Sequence, residues 1–283
     1  MASRSSYLRL RGLRFHLRHF GDESAPLLIY LHGWLDTSAT FAPVGELLGA
    51  RYHVIALDQR GYGYSEWPAD GYYFPDYIAD VDALVDALAP AQPFTLVGHS
   101  MGAQVASIYA GLKPERVARL AILDGHGVPD MPATLLPKRF GKWLEQLKGP
   151  AREKTYTSFE ELAARVKKQH NQLSDEKALF IAQGWGRADA DGRIRLLADP
   201  KHRLDMPTLY RSSESVEIWK NVSAPTLFID GALSPFFKML PPEERARRRE
   251  CFARREELTL EAAGHMLHFD QPQALAEMLL AHL

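Results

Sequence analysis

A serine between glycines, a histidine near the end of the chain and two strand-end carboxylates are the residues here whose types and spacing could do chemistry. Residues 96–104 read LVGHSMGAQ. An apolar run stops there and leaves Ser100 in a G-x-S-x-G pattern, between Gly98 and Gly102. The pattern follows a buried-strand signature and opens a helical one, the setting of a nucleophile elbow rather than of an incidental Gly/Ser turn. A serine forced into a strained backbone conformation needs neighbours without side chains. The helix behind it aims free N–H groups at the site and favours developing negative charge.

A hydroxyl is a poor nucleophile until a base takes its proton. The base is expected after the last strand, where EAAGHMLHF supplies His265 behind Gly264. His268 lies further on, where the chain already turns into the final helix. A tetrahedral oxyanion needs two backbone N–H donors. Met101, directly after the serine, and Trp34, in the HGW that follows the LIYL run, are the candidates for that oxyanion hole. Trp34, His99 and Trp185 are the expected substrate contacts, with bracing of the site as the alternative for His99, as it is for His32. The acid that orients the base is either Asp124, ending RLAILD, or Asp230, ending APTLFID. No metal or organic cofactor is expected, and the single cysteine, Cys251, cannot build a thiolate metal site.

Such groups need a scaffold. Continuous apolar runs at 26–33, 52–61, 94–100, 119–127, 224–231 and 257–265 predict strands covered on both faces. Helical patterns lie between them. Asp76 is placed to cap a helix bearing Ile78, Val81, Leu84, Val85 and Leu88 on one face. The segment QVASIYAGL follows the serine as helix, and PQALAEMLLAHL has Pro272 in its first turn. Near the N-terminus, Leu8 and Leu10, then Leu13, Phe15 and Leu17, alternate with Arg9, Arg11, Arg14 and His16 around Gly12. That period of two predicts a half-buried hairpin with its arginines wet, and outweighs an arginine-rich transit peptide. The alternation of strands and helices predicts an α/β class with a mostly parallel sheet.

The pattern breaks over 126–222. Pro129, Pro132 and Pro137 interrupt it, and polar amphipathic helices follow, one with Ser158 and Glu161 as a capping box and one over 175–185. No strong core strand is visible there. The reading is a helical lid, 126–222, inserted between two parts of a core, 1–125 and 223–283. Met131, Phe140, Trp143, Phe180 and Trp185 are its candidate lining, or ordinary packing. EERARRRECFARREE (243–257) holds six arginines and five glutamates and reads as a solvated helix with internal ion pairs.

Composition excludes several classes. A net charge of −1 and a pI near 6.8 argue against nucleic acid or an anionic membrane as partner. No apolar run reaches the ~18–20 residues of a membrane span. One cysteine forms no internal disulfide, and a cytoplasmic location is the default.

Together, LHGWLDTSATF, DQRGYGYS, GHSMG and EAAGHMLHF resemble the α/β-hydrolase superfamily, in order and over almost the whole chain. HGWLD, AQGWG and RLLADPKHR look most like its serine hydrolase-like (Kraken-like) branch. The resemblance implies the α/β-hydrolase fold: an eight-stranded, mostly parallel sheet, helices on both faces, and a helical lid after strand 6. It also implies an acid in a G-x-x-D turn after PTLFIDG, but that turn reads Gly231, Ala232, Leu233, Ser234. The similar haloalkane dehalogenases place the acid at the end of the strand that holds Asp124, which favours Asp124 over Asp230. Asp58 and Arg60 are expected to form a buried ion pair away from the histidine. A serine nucleophile excludes the carboxylate chemistry of dehalogenases and ordinary epoxide hydrolases. The implied activity is carboxylesterase-like serine hydrolysis of a small or medium, partly apolar ester. C–C bond hydrolysis or lactone opening on the same triad is the alternative, and a non-catalytic ligand-binding receptor is the alternative of another class. The expected partner is a small ester-like molecule; the sequence leaves a homo-oligomer open.

Overall fold

In the computed structural model, which describes residues 3–90, 92–126 and 128–283, the N-terminal period of two becomes a hairpin. Its strands, β1 (Arg4–Leu10) and β2 (Leu13–Phe20), pair antiparallel with Leu10 opposite Leu13. Arg11 and Gly12 turn it with positive φ, 47° and 85°, as a tight two-residue hairpin requires. Next come β3 (Leu27–Leu31), α1 (Ala42–Leu48), β4 (His53–Leu57), α2 (Phe74–Leu88), β5 (Phe94–His99), α3 (Met101–Leu112) and β6 (Val117–Leu123). Gly127, the last residue of the fourth apolar run, lies outside the described residues. The chain then leaves the sheet for α4 (Leu136–Gln146), β7 (Thr155–Tyr156), α5 (Phe159–Gln169), α6 (Asp175–Trp185), β8 (Gly186–Ala188) and β9 (Ile194–Leu196). It returns through α7 (Ser212–Trp219) to β10 (Thr226–Gly231), α8 (Pro242–Arg249), β11 (Arg255–Leu260), α9 (Leu267–Asp270) and α10 (Pro272–His282).

Eight strands form the main sheet in the order β1-β2-β4-β3-β5-β6-β10-β11. All its neighbours from β4 to β11 run parallel; β2 alone runs the other way and pairs antiparallel with both β1 and β4. Apolar residues alternate between two cores. Along β3, Leu28 and Tyr30 face the core shared with α1 and α10, while Ile29 and Leu31 face the core shared with α2, α3 and α7. Burial of both faces is why these strands read as unbroken apolar runs. β5 lies in the middle, so its C-terminal end opens on the centre of one sheet edge.

Four local expectations are corrected. Asp76 does not cap α2: Tyr73 does, without a side-chain bond, and Pro75 fills the first turn. The Asp76 carboxylate instead receives Arg11 and Arg60. Asp58 and Arg60 do not pair with each other. Asp58 turns to the hairpin and the loop, meeting His16 Nδ1 at 2.7 Å and the Ser38 and Tyr64 N–H groups. Arg60 turns to α2 and grips Asp80 with Nε and Nη2 at 2.5 and 2.6 Å. The arginine-rich segment is only partly solvated. Arg247 pairs with Glu244 within α8, but Arg248 and Arg249 are buried, and Arg248 donates to the His126 and Val128 carbonyls. The 126–222 segment is not wholly helical: β7, β9 and β8 form a small antiparallel sheet. Strands of two or three residues leave no readable periodicity.

That segment has its own core. Leu162, Val166, Ile181 and Ile194 pack with Met266, which precedes α9, and Phe269 within it. Ser158 Oγ accepts the Glu161 N–H at 3.3 Å, while the Glu161 carboxylate reaches back to the Thr157 N–H, one residue before the cap. Thr37 Oγ1 donates to the Gly184 carbonyl at 2.9 Å, tying α6 to the loop after β3. Among the described residues no helix is long and apolar enough to cross a membrane.

Replacing Arg60 by Met leaves Asp80 buried with Arg11 as its remaining partner. Arg60→Met is expected to lower stability by about 2–3 kcal/mol in urea unfolding, because breaking a buried ion pair exposes the desolvation cost of the survivor. A loss under about 0.5 kcal/mol, ordinary for a surface change, would show that the pair braces nothing.

Candidate active site

β5 ends at His99 and α3 begins at Met101, so Ser100 alone makes the turn. It does so at φ 51° and ψ −114°, a conformation costing on the order of 1–3 kcal/mol for a residue with a Cβ. A Cβ on Gly98 would stand 2.4 Å from the Gly102 carbonyl oxygen, and one on Gly102 would stand 2.2 Å from the Leu31 carbonyl oxygen. These obstacles are backbone and cannot swing aside. The two glycines let α3 descend onto β3 and β5, and the turn lifts the serine above the sheet edge.

His265 follows β11 and reaches that edge. Its Nε2 lies 3.0 Å from Ser100 Oγ, and its Nδ1 lies 2.6 Å from Asp124 Oδ2. A carboxylate only accepts, so Nδ1 carries the proton and Nε2 is free to accept the serine O–H. Asp124 sits just past β6, at φ 44°. It also accepts the Gly231 N–H at 3.2 Å and the Ser234 O–H at 2.5 Å. Ser234, buried, occupies the turn position where the resemblance implies an acid, and its role as a donor to Asp124 was not expected. A small donor at that position, facing a neighbouring strand-end carboxylate, was the signal available. Asp230 stands apart from the histidine. It pairs with Arg249, whose guanidinium lies 4.9 Å over the Phe228 ring. Burial pushes its carboxyl up, against the pull of Arg249.

The loop after β3 presses on the serine: a Cβ on Gly33 would lie 3.2 Å from Ser100 Cβ. Among the described residues, neither the Trp34 nor the Met101 backbone N–H meets an acceptor. Beside Trp34 and His265 is a cavity of about 350 Å³ whose walls also include Leu35, Trp185, Leu196 and Met266. Trp34 is exposed there, at 53%. Trp143 lines a separate groove, and Met131, Phe140 and Phe180 line neither.

Residues 26–272 match the family model described as the alpha/beta hydrolase fold. The chain belongs to the α/β-hydrolase family. It is 28% identical over 272 residues to a serine hydrolase-like protein of Danio rerio, covering 92% of this chain and 82% of that one. It is 29% identical over 217 residues to a 2-(acetamidomethylene)succinate hydrolase of Mesorhizobium japonicum, covering 75% of this chain and 72% of that one. A solved thioesterase domain from the curacin biosynthetic pathway superposes with a TM-score of 0.86 over 99% of this chain and 100% of that one, at 24% identity.

Three further histidines of this α/β-hydrolase, His32, His99 and His268, lie buried around the site. His99 does not line the cavity, which corrects the expected substrate contact: it is 1% exposed. Its Nε2–H donates to the His265 carbonyl at 2.7 Å, and its ring lies 4.8 Å from that of His265. Burial, with the charges of His265 and His268, holds its pKa well below the ordinary value, so the imidazole stays neutral. His32 accepts the Gln59 N–H at Nε2 and donates from Nδ1 to the Gly33 carbonyl. His268 points away from the serine to Asp36, at 3.0 Å. Asp36 also accepts Trp185 Nε1–H at 2.8 Å and Thr40 O–H at 2.7 Å. Asp36, His99 and His268 have ligand atoms within 4.8 Å of one another, the spacing a metal would want. Here Asp36 and the His268 and His99 Nε2 atoms are engaged in hydrogen bonds.

Burial raises the Asp36 carboxyl, but the His268 and Trp185 hydrogen bonds and the His268 charge outweigh it and hold the group below the usual 3.8. A depressed folded pKa gives stability that is complete above the unfolded value and is lost as pH falls through the folded one. Asp36→Asn is expected to lose about 3 kcal/mol near neutral pH. Its deficit should shrink as the wild type loses stability below about pH 4. Urea unfolding of both proteins across pH checks this; parallel curves would remove the assignment.

Proposed function

We propose that this α/β-hydrolase is a serine hydrolase that cleaves small to medium, partly apolar carboxylic esters through an acyl-enzyme on Ser100. The observation that carries the reading is the run of contacts Asp124–His265–Ser100, at 2.6 and 3.0 Å. His265 Nε2 takes the hydroxyl proton as Ser100 Oγ attacks the ester carbonyl. The oxyanion is received by the Trp34 and Met101 N–H groups, which have no other acceptor to leave. The imidazolium then gives its proton to the departing alkoxide. Water repeats the sequence against the acyl-enzyme and frees the acid. Asp124 orients His265 and stabilises the imidazolium without taking its proton. Ser234 and the Gly231 N–H hold that carboxylate in place.

The 126–222 segment serves as a lid. It supplies Trp185 and Leu196 to the cavity wall and docks through Thr37 and Asp36 onto the loop that carries Trp34. A dry wall strengthens the electrostatic terms inside. The relatives support the reading, being named a serine hydrolase-like protein and a 2-(acetamidomethylene)succinate hydrolase.

Ser100→Ala is expected to lower kcat on p-nitrophenyl esters by about 10⁴-fold or more while changing stability by under about 0.5 kcal/mol. A fluorophosphonate should label Ser100 in the wild type, read by mass spectrometry. An active, unlabelled Ser100→Ala protein would end the serine mechanism. Asp124→Asn is expected to reduce kcat by about 10³–10⁴-fold, whereas Asp230→Asn should act mainly on stability through Arg249. The opposite ranking in steady-state kinetics would reassign the acid.

A further inference from the structure

The cavity over His265 carries charge that ester cleavage alone does not use. Lys154, Arg165 and Arg203 all line it, and no aspartate or glutamate does. They come from separate elements. Lys154 precedes β7, Arg165 lies on α5, and Arg203 ends a 3₁₀ turn, Pro200–Arg203, after β9. Among the described residues, none of the three makes a hydrogen bond or an ion pair. Some other cations of the segment are neutralised: Lys142 meets Asp205, Lys167 meets Asp175, and Arg195 meets Glu153 and Asp189. Residues 126–222 carry 17 lysines and arginines against 13 aspartates and glutamates, and in the cavity wall the balance is three to none.

Three like charges converging on one concave surface repel one another and focus a positive potential into it. An arrangement of this kind is relieved by an anion that enters the cavity. Most of the remaining wall, Trp34, Leu196 and Met266 included, is apolar, with Thr37, Gln169 and His170 as uncharged polar exceptions beside His265. A guest matched to both has an apolar stem and an anionic end, with the stem running past His265. A guanidinium presents a planar fork that fits a carboxylate with two parallel hydrogen bonds.

We infer that the substrate is an ester bearing a free carboxylate, such as a half-ester of a dicarboxylic acid, with Arg165 and Arg203 holding the carboxylate and Lys154 adding to the field. The inference rests on the serine hydrolase reading for the bond that is cut, and names the class of molecule that carries it.

The test compares p-nitrophenyl hydrogen adipate with p-nitrophenyl hexanoate, which share a six-carbon acyl chain and differ by one negative charge. The wild type is expected to favour the adipate in kcat/KM by about tenfold, or 1.4 kcal/mol. Salt should erode that ratio, because the cations are exposed. Arg165→Gln with Arg203→Gln should bring the ratio close to one. Both side chains are on the surface, so the variant is expected to fold. A ratio at or below one in the wild type, or one that the double substitution leaves unmoved, overturns the inference.

Calorimetry of adipate binding separates this from failure of the mechanism. Ser100→Ala protein is expected to bind adipate, and to lose that binding when Arg165→Gln and Arg203→Gln are added. Such binding, with no turnover of either ester by the wild type, would uphold the anion site and reject the acyl-enzyme. Turnover of the hexanoate with no adipate binding and no preference for the charged ester would do the reverse.

Discussion

Two carbonyl oxygens pressed against two α-carbons govern this molecule. The Leu31 oxygen lies where a side chain on Gly102 would begin, and the Gly102 oxygen lies where one on Gly98 would begin. The contact lets α3 settle on the junction of β3 and β5. From it follow the unusual φ of Ser100, the direction of its hydroxyl and the aim of the first N–H of α3. The strain at Ser100 is local, and the two cores on either side of the sheet hold it.

His265, the proposed base, is positioned by a second set of contacts. His265 belongs to a loop with no regular structure, yet its backbone carbonyl is held by His99 and its ring by Asp124. His99 remains neutral because it is buried, which lets it donate from Nε2 without placing a like charge beneath an imidazolium. Close by, His268, Asp36 and Trp185 form another run of hydrogen bonds that ends in the segment over the cavity. Supports for the base and for the cavity wall therefore share one buried polar cluster.

Local pattern was enough for most of the scaffold. Period-two alternation gave the hairpin, apolar runs gave the parallel strands, and G-x-S-x-G between strand and helix marked Ser100. His265 was legible from its place after the last strand. Properties set by pairing were harder to read. Asp124 and Asp230 both end strands, and their difference lies in what faces them: His265 and Ser234 for one, Arg249 for the other. Asp58 and Arg60 are close in sequence but project to different elements, so adjacency suggested a bond that does not form. Lys154, Arg165 and Arg203 are scattered over three elements of a chain with almost no net charge. Only folding brings them to one wall.

β6 and β10 are parallel neighbours, and α7 is the crossover between them, packed against α3. The long excursion over the cavity is an enlargement of the loop that leads from β6 into that crossover. Arg248, arriving from a later part of the chain, pins the loop near its root. Lengthening, shortening or exchanging such an excursion leaves strand register untouched. Under the proposed function, the wall that would select a guest and the residues that would break its bond thus belong to separable portions of the polypeptide.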